Sequence, residues 1–250
     1  MKKGFMGLMA ATMFLASASL RAEGTGTGFL AGQLRHARVQ MALKNKGPAL
    51  SAKLRQAGIS PEALQIVLVA YKAEEVLEIY AKAKSAATYQ KLVSYDICYA
   101  SGRLGPKIKA GDRQVPEGFY FIDRFNPASS YHLSLGINYP NAADQRRNKA
   151  VNPGGDIFIH GSCVSIGCLA MRDDKIEEIY LYAAYAKNSG QTRIPVYIFP
   201  FRMNDANLRK YSNASVLPFW KNLRQGHDQF MQHKQALNFR IEPQGAYTFY

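Results

Sequence analysis

The spacing of apolar positions changes character twice along the chain and divides it into three stretches. Between residues 30 and 46, Leu34, Val39, Met41 and Leu43 stand among basic neighbours, an amphipathic pattern that predicts a helix. Pro48 is expected to end it, and residues 49–57 predict a second helix stopped at Gly58. From Gln65 the period shortens. Residues 65–71, 76–82 and 89–100 are rich in β-formers, the first two parted by polar residues 72–75, and together they predict a β-meander. Pro116-Glu117-Gly118 predicts a turn feeding a strand at 119–123, with further strands at 131–137, 156–160 and 194–199. Asp174 and Glu177 offer a capping-box-like helix start, and Ile176, Ile179, Tyr180 and Ala183 share one face of a helix ending near 188–190. The last stretch predicts helices at 205–211, 216–223 and 228–236, then a hairpin turning at Gln244-Gly245. The fold class is therefore mainly β with α, one core domain at 64–200 between an N-terminal helical segment and a C-terminal extension at 201–250.

Composition changes this picture at the N-terminus. Lys2 and Lys3 precede an apolar run at 5–15, and Ala16-Ser17-Ala18 supplies small residues for cleavage, so residues 1–18 read as a secretory signal peptide. An uncleaved anchor is the alternative, but the run is about half a membrane span. Residues 19–63 then hold a Gly-Thr linker and the N-terminal helices, and the expected location is periplasmic, with no transmembrane segment after cleavage. The net charge is +14, and the leader contributes two of those charges. Nucleic acid is set aside, because an exported chain seldom meets it and no basic helix or aromatic-interleaved motif appears. An anionic envelope surface fits the charge better.

The candidate chemistry lies in residues 156–171, D-I-F-I-H-G-S-C-V-S-I-G-C-L-A-M, where His160 precedes Cys168 by eight residues. A strand ending at His160 holds the imidazole on a rigid edge, and Gly167 lets the backbone approach a substrate. Cysteine attacks as thiolate, so an imidazole that takes its proton makes acyl transfer through a thioester feasible. The amides of Gly167 and Cys168 are expected to be free oxyanion donors. The helix after Cys168 is expected to lend its positive end to the sulfur. Taken singly, a histidine or a cysteine is more often structural, and His160, Cys163 and Cys168 as metal ligands match no common zinc spacing. The loop 103–112 carries three cationic side chains for phosphate or carboxylate contact, or simply a solvated surface. Residues 144–149 read as a surface loop or lid, His132 as structural and Trp220 as core.

Residues 160–171, H-G-S-C-V-S-I-G-C-L-A-M, resemble the active-site segment of the L,D-transpeptidase (YkuD-like) catalytic domain, in which a histidine is followed later by [S/T]-x-G-C. They are most similar to the compact form in the YafK-like subgroup. S-G-R-L-G-P-K at 101–107, Gly111-Asp112 with 116–120, residues 136–141, and P-F-R-M-N-D-A-N ending at 207 agree in order, so the resemblance runs from about Gln65 into the C-terminal region. It implies an L,D-transpeptidase-like β-sandwich catalytic domain with N-terminal and C-terminal helices. It also implies Cys168 as nucleophile, His160 as base and Gly167 at the oxyanion, with no metal or cofactor. Candidate substrate contacts are Ser165, Gly161, Arg103 and Arg172. Two departures stand out: Ile166 occupies the usual His of His-Gly-Cys, and Ala170 replaces the arginine that follows the nucleophile, leaving Arg172, Arg103 or Arg202 as substitutes. The implied partners are peptidoglycan stem peptides, cut or joined at an amide between the L-centre of a diamino acid and a D-configured centre, and a wall-linked lipoprotein. Hydrolysis, as an L,D-carboxypeptidase or lipoprotein-releasing amidase, is the preferred reading. Transpeptidation that forms cross-links or attaches proteins to the wall is the alternative, and a non-catalytic wall-binding protein is the alternative of another class. A papain-like or NlpC-like peptidase is disfavoured, since those place the cysteine first. Three cysteines leave one odd, and a nucleophile must stay reduced, so Cys98 with Cys163 is the economical pairing. Two free thiols, or a Cys163–Cys168 redox lock, remain open alternatives.

Overall fold

The computed structural model describes Met1 and residues 28–148 and 152–250. The signal peptide and most of the linker expected before Gly28 lie outside the described residues. The N-terminal elements are α1 (Phe29–Gln33) and α2 (Ala37–Gln56). The meander follows as β1 (Leu64–Tyr71), β2 (Val76–Ala83) and β3 (Gln90–Asp96), then the short β4 (Tyr99–Ala100). Next come β5 (Gly118–Asn126), β6 (Ser134–Ile137), α3 (Ala142–Arg147), β7 (Phe158–His160), β8 (Leu169–Ala170), α4 (Asp173–Asn188) and β9 (Pro195–Phe199). The extension supplies α5 (Asp205–Lys210), α6 (Leu217–His233) and a hairpin of β10 (Phe239–Ile241) and β11 (Tyr247–Phe249).

Nine strands form one sheet in the order β3-β2-β1-β9-β5-β6-β7-β8-β4. β5 makes it curl. Its first half pairs with β9 and its second half with β6, with a register irregularity between Ile122 and Arg124. The result is a mixed α/β chain dominated by a curled sheet, in line with the mainly-β expectation. β1 is buried on both faces, which explains its nearly unbroken apolar run. Ile66, Leu68 and Ala70 point into a core shared with α2 and α4, whereas Val67, Val69 and Tyr71 point into a second core built with α6 and the hairpin.

Four local expectations are corrected. α2 runs through Pro48, and the break falls earlier, at residues 34–36. The preceding Gly47 has no Cβ to clash with the proline ring, and the buried stripe Val39, Ala42, Leu50 and Leu54 holds the helix together by its packing with α4. Residues 217–233 are one helix rather than two. Gly226, which lies between the two expected helices, is buried under Phe249 and Phe119, and Trp220, Leu223, Gly226 and Phe230 make a single inward stripe. The segment expected as a loop or lid at 144–149 is helical to Arg147 because Asn141 and Asp144 close a reciprocal capping box. Its Arg147 lies over the Phe219 ring at 3.8 Å, so α3 is docked on the extension. α4 begins at Asp173 with no side-chain cap, since Asp173 Oδ1 instead accepts from Ser162 N at 2.7 Å.

A Cβ added at Gly226 would come within 2.5 Å of Phe249 and 2.6 Å of Phe119. Gly226→Ala is therefore expected to overpack this core and cost about 1–3 kcal/mol, despite the better helix propensity of alanine. A melting temperature at or above that of the unaltered protein would refute that packing.

Candidate active site

β7 and β8 are neighbours in parallel, with Ile159 opposite Leu169 and His160 opposite Ala170. Parallel neighbours ordinarily need a crossover of a dozen or more residues, but here the chain returns within residues 161–168. Three ties hold that tight return. Cys163 is bonded to Cys98 with Cα atoms 5.5 Å apart, inside the normal disulfide range. Ser162 N is held by Asp173, and Arg172 N donates to Ser162 O at 3.0 Å. The preferred cysteine pairing is thus the one formed. It withdraws Cys163 from the metal-ligand and redox-lock alternatives and leaves Cys168 as the free thiol.

The parallel register carries His160 and Cys168 to one cavity of about 290 Å³, which Tyr131, Ser134 and Phe158 also line. The Tyr131 ring lies against the imidazole at 4.7 Å between centroids. His160 is buried, and its Nδ1 stands 2.6 Å from Gly161 O. A carbonyl can only accept, so Nδ1 carries the proton and Nε2 is left as the basic nitrogen. Burial lowers the His160 pKa, and the bond to Gly161 opposes that shift. On Cys168, burial raises the thiol pKa; the Phe158 N–H at 3.4 Å and the Lys107 charge lower it, and the Asp156 charge adds to the rise. Both shifts favour the neutral pair, thiol with imidazole.

The other sequence candidates fall into two groups. Ser165 is the hub of the turn: its Oγ accepts from Gly167 N at 3.1 Å and Cys168 N at 2.7 Å, and donates to Cys168 O at 2.7 Å. The two amides expected to be free are thus occupied in this state, because the hydroxyl two to three residues earlier folds back on them. Gly161 is buried, and a Cβ there would meet Asp173 Oδ1 at 2.5 Å and Tyr131 O at 2.7 Å, so it serves packing and the aim of His160. The three arginine substitutes are placed elsewhere. Arg202 pairs with Glu78 at 2.8 Å and covers Tyr71, Arg103 is held by its backbone to Gln114, and Arg172 forms the N-terminal boundary of α4. The start of α4 also follows β8 rather than Cys168, so burial, not a helix end, dominates the sulfur.

A second cavity of about 480 Å³ shares Asp156, Ile166 and Cys168 with the first and is otherwise lined by Lys107, Arg113 and a backbone rich in glycine. Lys107 belongs to the cationic loop singled out from sequence; Arg113 lies one residue past it, and Tyr131 carried no signal beyond its β-propensity.

The fold and this site define a curled-sheet domain with a histidine at the end of one strand and a free cysteine just before its parallel neighbour. The family model described as the L,D-transpeptidase catalytic domain (YkuD) matches residues 65–198. The chain belongs to the L,D-transpeptidase (YkuD) family. It is 40% identical over 178 residues to "Putative L,D-transpeptidase YafK" of Escherichia coli K12, covering 70% of this chain and 69% of that protein; the Escherichia coli O157:H7 counterpart matches equally. Among solved structures, the helical cell shape determining protein Pgp2 from Campylobacter jejuni is 23% identical with a TM-score of 0.44, over 56% of this chain and 49% of that one. Bd1075 from Bdellovibrio bacteriovorus is 24% identical with a TM-score of 0.40, over 67% and 56%. The chain thus spans about half the length of these two. Among the described residues, no helix is long and apolar enough to cross a membrane.

Two measurements check the site. The thiolate absorbance of Cys168 is expected to appear above the ordinary cysteine range, and Asp156→Asn, which removes a charge that opposes ionisation, is expected to bring it lower. A thiolate already formed at neutral pH would contradict the neutral pair. Cys98→Ser opens a loop of 65 residues' separation and is expected to cost roughly 3–5 kcal/mol, read as a lower denaturant midpoint. An unchanged midpoint would mean the bond carries no stability.

Proposed function

We propose that the protein is an exported cysteine enzyme that cleaves peptidoglycan stem peptides at the amide between the L-centre of a diamino acid and a D-configured centre. The observation that carries this reading is the shared cavity of Cys168 and His160, with His160 Nδ1–H fixed on Gly161 O so that Nε2 is the free base. His160 Nε2 takes the thiol proton as Cys168 Sγ attacks the carbonyl. The tetrahedral oxyanion then collapses to a thioester as the imidazolium returns its proton to the leaving amine. Water, activated by the same nitrogen, hydrolyses the thioester and frees the thiol. The amides of Gly167 and Cys168 serve the oxyanion once Ser165 Oγ turns away, which makes Ser165 a positioning residue that the substrate carbonyl displaces.

Hydrolysis matches the YafK-like character of the segment, and the leaving amine is either a terminal D-amino acid or the side-chain amine of a wall-linked lipoprotein. Signal-directed export to the periplasm accords with residues 1–18. The expected acid limb follows from His160: the base must be neutral, and its pKa is lowered, so activity should persist as pH falls below the usual imidazole value of about 6.5 before it is lost.

Digestion of purified muropeptides, followed by mass spectrometry, tests the reaction. Shortened stems or released lipoprotein are expected. Cys168→Ala should abolish turnover, and His160→Gln should lower the rate by roughly two to four orders of magnitude. New dimers with direct diamino-acid cross-links would replace hydrolysis with transpeptidation, and full activity in Cys168→Ala would remove the thiol from the chemistry.

A further inference from the structure

Two cavities meet at Cys168, and they differ in charge. The smaller holds His160 under Tyr131. The larger brings in two cations, Lys107 and Arg113, beside Asp156, which lines both cavities and is paired with Arg124 at 2.9 Å. Lys107 is already paired: its buried Nζ lies 2.5 Å from Asp112 Oδ1 and 2.9 Å from Lys109 O. Asp112 is fully committed in turn, since it also accepts from the amides of Ile108, Lys109 and Gln114. It therefore has no oxygen to spare for the neighbouring Arg113. Among the described residues, the Arg113 side chain has no hydrogen bond, ion pair or ring contact, and it is exposed in the wall of the nucleophile's own cavity.

The direction of the substrate follows from proton transfer. The imidazole that takes the thiol proton must return it to the leaving amine, so that amine sits in the His160 cavity. The acyl donor then extends from Cys168 the other way, into the cavity of Lys107 and Arg113. We propose that Arg113 is the specificity-determining residue that anchors a carboxylate of the acyl donor, pairing its planar guanidinium with the free acid. This rests on the acyl-transfer reading above. For a stem peptide, the carboxylate we assign to this anchor is that of the diamino acid's D-centre.

The test compares stem peptides whose D-centre carboxylate is free or amidated, using the unaltered protein, Arg113→Ala and Arg113→Lys. The unaltered protein is expected to favour the free acid through KM by roughly tenfold or more. Arg113→Ala should erase that preference with little change in kcat, and Arg113→Lys, which keeps the charge but loses the fork, should restore part of it. A second readout needs no turnover: Cys168, the free thiol, is alkylated with a maleimide bearing a propionate arm and with the matching propionamide. The ratio of the two rates should fall at least about twofold in Arg113→Ala, the size expected for one exposed charge. If no stem peptide is turned over but this ratio still depends on Arg113, the anchor stands and the stem-peptide reading falls. If stem peptides are turned over and Arg113→Ala keeps both preferences, the anchor is overturned and the reading stands.

Discussion

A buried ion pair that lines neither of the cavities at Cys168 holds the parts of this molecule in register. Lys72, just past β1, places Nζ 2.9 Å from Glu117 Oε1 and also donates to Gly105 O and Val115 O. The same carboxylate accepts from Gly105 N, and its second oxygen accepts from Trp220 Nε1 in α6 at 2.7 Å. Burial pulls the Lys72 pKa down while Glu117 pushes it back up. A charge pair so enclosed is tolerated because every near lone pair and proton has a partner; with either member gone, the other would be stranded in an apolar core. Sheet, cationic loop and C-terminal extension therefore meet on one carboxylate, and the loop so fixed is the one that presents Lys107 and Arg113 to Cys168.

The site is built on economy of backbone. β7 and β8 are too short to be stable alone, but they bring a histidine and a cysteine to one cavity because parallel pairing fixes their register. Burial lowers the His160 pKa and raises that of Cys168, so both shifts favour the uncharged forms. In the acyl transfer we propose, proton transfer and attack then belong to one event. Ser165 fits the same logic, since a hydroxyl on two amides satisfies them cheaply and yields to a stronger acceptor.

The sequence made the site's chemistry legible and left its surroundings obscure, for a physical reason. His160 and Cys168 stand out because reactive residue types in a short glycine-bearing stretch are rare. The β1–β2–β3 meander and the terminal hairpin stand out because runs of β-formers parted by polar or glycine-bearing turns are a strong local signal. The breaks expected at Pro48 and between 223 and 228 did not form because propensity is local, whereas a buried helical stripe is a tertiary fact that outweighs it. Arg113 and Tyr131 were invisible because nothing local says that a loop before β5 and a turn before β6 will arrive at the same sulfur. The Lys72–Glu117 pair was equally hidden, its members reading as a polar connector and a turn.

The bond between Cys98 and Cys163 has a consequence for the bookkeeping of sulfur. An odd number of cysteines in a chain that meets oxidant is ordinarily a hazard, because the leftover thiol can be captured by any neighbour, and Cys163 is the neighbour five residues away. Once Cys98 has claimed Cys163, that intramolecular rival is gone. The tether thus works as a chemist's protecting group does: it occupies the competing thiol and leaves a single free one, Cys168, at one address.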